Sequence, residues 1–447
     1  MAEALAISPS YLNLIERNQR PLTVQLLLKL ASVYKIDLDA LQGEGTGTAS
    51  QLKEVFSDPL LAGELPGDQE IIELAEAAPN ASLGIAKLYR AYREQAMRLT
   101  DLAEILAREG HETSVAGARL PIDEVREKLE NRPNFFARIE AAAEETVRSL
   151  DQGEGLQASL KTWLKAQHGI TVRTLPVHAM PNLRRRFDRH SMRLFLSERL
   201  SPFDRVRELA MEAALLALPA EILAELEALS LSSDEARRIA RFELARYAAH
   251  ALMMPYGAFL SAAQKAAYDV DVLRSRFDVS FEQVANRLTT LARPGAAGLP
   301  FFMLELDHAG NMIRRAGAQG YPKARFGGLC PKLGIHAAFA QPGQILAEQV
   351  EMPDRSVFLT VSRTVEGPQA AFGERLRRTA ILLGCELPLV AETVYAAAAM
   401  SPASRVLAGT ACRLCERQGC LARAEPPLTR PLGLDEMAAG LSAFDFQ

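Results

Sequence analysis

The stretch that decides the fold is Met1–Leu41, MAEALAISPSYLNLIERNQRPLTVQLLLKLASVYKIDLDAL. Ser8 can cap a helix whose first position tolerates Pro9, because the N–H that proline lacks has no partner there. Tyr11, Leu14 and Ile15 then form an apolar stripe at helical spacing. Ser8, Ser10, Tyr11, Asn13, Arg17 and Arg20 supply the small polar and basic groups that base edges and phosphates in a major groove require. Asn18-Gln19-Arg20-Pro21 breaks the helix, and Val24–Tyr34 resumes a helical pattern that packs behind it. A helical hairpin that binds nothing is the plainer reading of the same periodicity.

Met1–Leu5, Ile7–Leu12, Ile15-Glu16-Arg17, Arg20-Pro21 and Leu26–Ala31 together resemble the helix-turn-helix of the phage-repressor-like (Xre/Cro) family. The resemblance implies double-stranded DNA as partner. That family begins with a basic first helix, whereas this chain opens inside the second. Four Lys and Arg face four Asp and Glu in residues 1–41, a poor electrostatic footprint for phosphate. The natural start is therefore expected upstream.

The chain has 447 residues, 48% hydrophobic and 24% charged, with a net charge of −4. That length fits roughly two to four domains, and the charge excludes a protein that coats nucleic acid broadly. No uninterrupted apolar run reaches membrane-spanning length, and the start carries no secretory signal pattern, so no membrane partner and a cytoplasmic address are expected.

Gly43–Ser50, GEGTGTAS, reads as a linker after the headpiece at residues 1–43. Residues 51–155 read as a helical connector. In it Ile85, Leu88, Tyr89, Tyr92, Ala96, Leu99, Leu102 and Leu106 form a stripe that could pair two subunits into a homodimer or pack within one. At residues 156–296, a helix ending at Gly169, the strand Ile170–Leu175, a charged hairpin (Arg184–Asp188, Met192–Leu196) and the helix Arg205–Leu218 follow in order. This order resembles the IrrE/ImmA metallopeptidase-like domain, whose HExxH helix needs two histidines one turn apart for zinc. Here the run is Met211-Glu212-Ala213-Ala214-Leu215, with only the glutamate kept, so the site is read as dead, the domain as structural and the protein as no enzyme. His250 reads as a satisfied histidine. Phe277–Leu288 reads as a short helix capped by Ser280.

From residue 297 to 447 the period changes. Phe301–Leu306, Gln344–Glu351 and Val357–Arg363 read as strands, and Leu333–Phe339 and Leu389–Met400 as helices. The expected fold class is thus multidomain and mainly α, with an α+β C-terminal part of the GAF- or PAS-like sensing kind.

Cys412, Cys415 and Cys420 place three thiols in nine residues, while Cys330 and Cys385 each sit shortly after a glycine. Three clustered cysteines and a distant fourth suit an iron–sulfur cluster, with [4Fe–4S] preferred; structural zinc is the alternative. Either Cys330 or Cys385 could be the fourth ligand.

The whole order resembles the short-chain fatty acyl regulators. The strings that carry it include Leu88–Arg93, Leu252–Phe259, Val279–Ala285, Arg325–Gly328, Pro342–Leu346 and Cys412–Arg417. The resemblance implies a transcription factor for acetate, propionate or related acyl-CoA metabolism, with CoA or a short-chain acyl-CoA as effector. Arg314, Arg315, Lys323, Arg325 and Lys332 are the candidate phosphate contacts, a solvated basic face being the plainer reading. The competing classes are a metallopeptidase that cleaves a partner repressor and a zinc-stabilised interaction protein that does not touch DNA.

Overall fold

In the computed structural model, description covers most of residues 49–108 and 121–447. Before residue 49 it covers only Ala2, Ile7, Ser8, Tyr11, Leu12, Leu26, Lys29, Val33 and Tyr34. Residues 59–60, 62–66, 109–120, 151–152, 154, 318–320, 322–327, 400–404, 428–429, 434–440, 443 and 445–447, and the side chains of 96–108 and 398–399, lie outside the description. The chain divides into two compact units, Met1–Arg119 and Leu120–Gln447.

In the first unit Ser8 caps a helical turn as the sequence predicts: its Oγ accepts the Tyr11 N–H at 3.2 Å. Further on, α1 (Asp68–Ala77) and α2 (Pro79–Arg108) follow a helical run over 49–56. Leu52, Ile71 and Ala75 form their small core, with Ile85 packed against it. The Tyr89 hydroxyl donates to Asp58 at 3.0 Å, whereas Leu88 and Tyr92 are 73% and 48% exposed. Of the stripe read from the sequence, Ile85 and Tyr89 therefore pack at home and Leu88 and Tyr92 face out, while its side chains from Ala96 on lie outside the description.

The second unit starts with α3 (Pro121–Glu130) and α4 (Ala137–Ser149). The sequence assigned both to the connector. Their Val125, Phe136, Ile139 and Ala143 instead share the core of everything that follows. Next come α5 (Leu156–His168), β1 (Thr171–Leu175), β2 (Arg185–Asp188) and β3 (Arg193–Ser197). Gly169, at φ 66°, closes α5 in the left-handed conformation that glycine adopts without strain. The three strands form one sheet, ordered β1-β3-β2.

Then come α6 (Pro202–Ala217), α7 (Pro219–Ala228), α8 (Asp234–Met253), α9 (Tyr256–Lys265), α10 (Val270–Phe277) and α11 (Phe281–Leu288). Local chemistry sets several starts: Ser201 caps α6 ahead of Pro202, Asp269 caps α10, and Ser280 with Gln283 closes a full capping box on α11. α11 thus begins at Phe281, and Phe277 ends the helix before it.

The last part holds β4 (Phe302–Asp307), β5 (Met312–Ala316), the short α12 (Gly334–Ala337), β6 (Leu346–Glu351), β7 (Val357–Glu366), β8 (Arg378–Glu386) and β9 (Val406–Leu407). The sheet order is β5-β4-β8-β7-β6-β9, antiparallel except for the β6–β9 pair. The sequence reading missed β5 and β8. Its helix at Leu333–Phe339 is α12 plus a 3₁₀ turn, and its helix at Leu389–Met400 is two 3₁₀ segments, Leu387–Glu392 and Val394–Ala399.

Side-chain alternation sends the two faces of this sheet into different cores. Met303, Leu359, Ile381, Leu383 and Cys385 join the core of the helical part, while Phe302, Leu304, Phe358, Ala380 and Leu382 form a second cluster with Tyr321 and Cys330. The boundary expected at 296/297 therefore crosses a continuous core. Among the described residues no helix is long and apolar enough to cross a membrane.

Candidate functional site

Cys330, Cys412, Cys415 and Cys420 line one small cavity of about 10 Å³, closed by Gly409, Arg417 and Arg423. Cys385 is not there. It points from β8 into the helical core, where burial pushes its thiol up to about 12. The parity of β8 turns Cys385 away, while Cys330, in the loop before α12, meets the clustered cysteines, a difference that the sequence could not rank. Burial also raises the Cys330 thiol, against backbone N–H groups of Gly409 and Lys332 that hydrogen-bond the sulfur and favour thiolate. A Cβ at Gly409 would stand 2.7 Å from Cys415 Sγ, so glycine lets the backbone come close.

Arg423 braces the loop. Its guanidinium donates to the carbonyls of Cys412, Cys415 and Arg417 at 3.1, 3.0 and 2.7 Å. Arg417 donates to the carbonyls of Ala408 and Met352 at 2.8 and 2.9 Å, tying the loop to the ends of β9 and β6. Arg413, between Cys412 and Cys415 in sequence, pairs with Glu425. The sequence reading passed over Arg423, although it stands three residues past Cys420. Among the described residues, no three His, Cys, Asp or Glu side chains converge on one coordination point. The donor set nonetheless fits a thiolate-bound metal: four sulfurs share one cavity, N–H groups face two of them (Ala424 N–H reaches Cys412 Sγ at 3.4 Å), and the loop is held by guanidinium groups.

Two further cavities meet at Arg314. The inner one, about 330 Å³, has apolar walls from Val125, Leu129, Phe136, Leu244 and Ile313, with Arg126, Arg246, Arg314 and Arg315 among them. The outer one, about 710 Å³, adds Arg184, Arg207, Arg274, Arg363 and Arg377 beside Phe203, Phe242 and Met211. Glu243, Arg246, Glu305 and Arg314 line both. Burial alone would raise the Glu282 carboxyl, yet Arg314 and Arg207 hold it well below the usual range. Arg315 buries Nε and Nη2 without a hydrogen-bond acceptor among the described residues, with Glu130 Oε1 at 3.6 Å. Of the phosphate contacts expected from sequence, Arg314 and Arg315 come together here. Lys332 lines neither cavity and lies on the thiol side, and Lys323 and Arg325 lie outside the described residues. So do Ser10, Asn13, Arg17 and Arg20 of the headpiece.

Where a metallopeptidase would hold zinc, Met211 and Leu215 flank a buried Glu212. Burial raises its carboxyl while Arg185, at 3.4 Å, and Arg189 lower it. A methionine and a leucine offer no imidazole, so this chain keeps the scaffold of that site without its ligands.

His250 is 1% exposed, its Nδ1 lies 2.8 Å from Asn286 Oδ1, and burial pushes its pKa down to about 3. Glu282, Arg207 and Arg314 are the charged groups that act on it. The folded imidazole stays neutral while the unfolded one takes a proton below about pH 6.5. Stability is therefore fully present above that pH and is lost as pH falls, by about 1.4 kcal/mol per unit for this group. Denaturant midpoints between pH 7 and pH 4.5 should show this slope, and His250→Gln should flatten it; equal slopes would refute the assignment.

A helix-turn-helix family model matches residues 1–41, an IrrE N-terminal-like domain model residues 165–289, and the model of the short-chain fatty acyl coenzyme A regulator C-terminal domain residues 290–444. The "HTH-type transcriptional regulator RamB" of Mycobacterium tuberculosis is 34% identical over 99% of this chain and 94% of its own length. The "Propionyl-CoA carboxylase regulator" of Cereibacter sphaeroides is also 34% identical over 99% of this chain and 94% of its own. The "HTH-type transcriptional regulator PrpR" of M. tuberculosis is 31% identical over 98% of this chain and 90% of its own. A solved structure, "Mycobacterium tuberculosis transcriptional regulator", superposes with a TM-score of 0.69 at 32% identity, covering 73% of this chain and 99% of that one.

Proposed function

Because the chain belongs to the short-chain fatty acyl coenzyme A regulators, which are regulatory rather than enzymatic, we propose that it is a dimeric, cytoplasmic, DNA-binding transcription factor for acetate, propionate or related acyl metabolism. CoA or a short-chain acyl-CoA is its effector. The observation that carries the effector is the pair of cavities meeting at Arg314: arginines for phosphates, an apolar pocket for a thin arm, and buried Arg315 N–H groups without an acceptor among the described residues. The exposed Leu88 and Tyr92 on α2 support pairing of two copies. A dimeric headpiece then reads half-sites about 34 Å apart.

The effector alters DNA affinity only as far as it binds two arrangements of the protein unequally. Anisotropy with DNA from the protein's own upstream region, titrated with CoA, acetyl-CoA and propionyl-CoA, tests this. At least one should shift the midpoint. Arg315→Gln should weaken the effector roughly tenfold, the weight of one charged hydrogen bond, with effector-free DNA affinity unchanged. If none of the three moves the midpoint, the reading is wrong.

For the thiol cavity the reading is a [4Fe–4S] cluster held by Cys330, Cys412, Cys415 and Cys420. The cavity of about 10 Å³, close to the size of one atom, favours zinc as the second reading. A cluster would supply a redox response, and zinc would brace the loop.

A further inference from the structure

Residues 1–41 carry a balanced charge. Four Lys and Arg against four Asp and Glu in residues 1–41 give little attraction to a polyanion. Residues 171–193 are the opposite, with six arginines and a single acid, Asp188. Two of the arginines are committed to carboxylates: Arg184 pairs with Asp204 and Glu208, and Arg185 with Glu208 and Glu212. The others are exposed and form no ion pair with another described residue.

The register of the β1-β3-β2 sheet sorts them. Arg173 of β1 and Arg186 of β2 both lie opposite Phe195 of β3, which puts an Arg–Phe–Arg row on one face. Arg193 lies on the same face two residues before Phe195, between Thr171 and Asp188. The opposite face carries Leu194 and Leu196, both buried. Arg173 and Arg186 are two strand spacings apart, roughly 10 Å. Asp188 is turned into its own hairpin, accepting the Ser191 hydroxyl at 2.7 Å and the His190 N–H at 3.0 Å.

We propose that this sheet face, Arg173, Arg186 and Arg193 around Phe195, is a second DNA contact that grips the phosphate backbone of the duplex. Arginine suits the task because its planar fork pairs with phosphate in two-point fashion. The face offers charge and no base-reading amides, so it adds affinity without sequence preference. The proposal rests on the DNA-binding reading above and adds electrostatic attraction to that of residues 1–41, which are locally neutral.

The test compares the full chain with an Arg173→Gln/Arg186→Gln/Arg193→Gln variant, by anisotropy on the upstream-region duplex and on an unrelated duplex over a salt series. Each lost phosphate contact removes about 0.9 from the slope of log K against log salt, so the triple variant should lose about 2–3. Affinity for both duplexes should fall by the same factor at low salt, with the thermal midpoint unchanged. An unchanged slope in a folded variant overturns this inference and leaves the DNA reading standing. A parent chain that binds neither duplex at low salt overturns both. An unchanged slope with lost binding to anionic phosphatidylglycerol vesicles would instead give the face to a membrane.

Discussion

Replacing Arg287 by alanine is expected to destabilise Leu120–Gln447 by roughly 3–5 kcal/mol, the usual result of stranding one charge of a buried pair. Arg287 and Glu140 are both fully buried. Arg287 Nη1 and Nη2 donate to the two oxygens of Glu140 at 2.5 and 2.9 Å, its Nε to the Met254 carbonyl at 2.9 Å, and Nη1 also to Thr290 Oγ1 at 2.9 Å. Tyr247 adds its hydroxyl to Glu140 at 2.6 Å. Every strong group is partnered, so the pair fastens α4 to α11. Lysine should not rescue position 287, since one ammonium cannot reproduce the fork. A Glu140→Leu/Arg287→Met double variant should recover most of the loss, because neither charge is then left alone. Urea unfolding reads all three; a loss under about 1 kcal/mol for Arg287→Ala would show that the pair holds nothing.

The second large effect separates two cysteines. On the metal site proposed above, Cys330→Ser should strip the metal, abolishing either the visible absorption of an iron–sulfur cluster or the bound zinc. Cys385→Ser should keep the metal and cost about 1–3 kcal/mol, because its hydroxyl would be buried in an apolar face. Metal analysis and absorption of anaerobically purified variants distinguish the two. Brown parent protein supports the cluster, and colourless parent protein with one zinc supports the brace. Metal lost from the Cys385 variant and kept in the Cys330 variant would invert the ligand assignment.

The features legible in the sequence were those written in short-range chemistry. Ser8, Ser280 and Gly169 mark helix ends through hydrogen bonds and a left-handed turn made within a few residues. The clustered cysteines and the missing histidines could likewise be read by spacing. What eluded the sequence depends on partners far along the chain. β5, MIRRA, carries two arginines that look solvated until Glu282, Glu305 and Glu130 come to meet them. β8 is buried on both faces and so lacks the alternation of a half-exposed strand. The alanine-rich 394–399 resembles a helix in composition but folds as a 3₁₀ segment against the sheet. Cys330, in a loop, and Cys385, on β8, enter cores on opposite sides of the sheet, which spacing alone does not reveal.

The doubly covered sheet has a consequence for how such a protein can be inherited or engineered. With odd-numbered β8 residues belonging to one interior and even-numbered ones to the other, no seam exists at which the far end could be grafted onto a foreign scaffold. Recombination between two relatives would have to carry everything from Leu120 onward as a single cassette, whereas Met1–Arg119 forms a compact unit of its own.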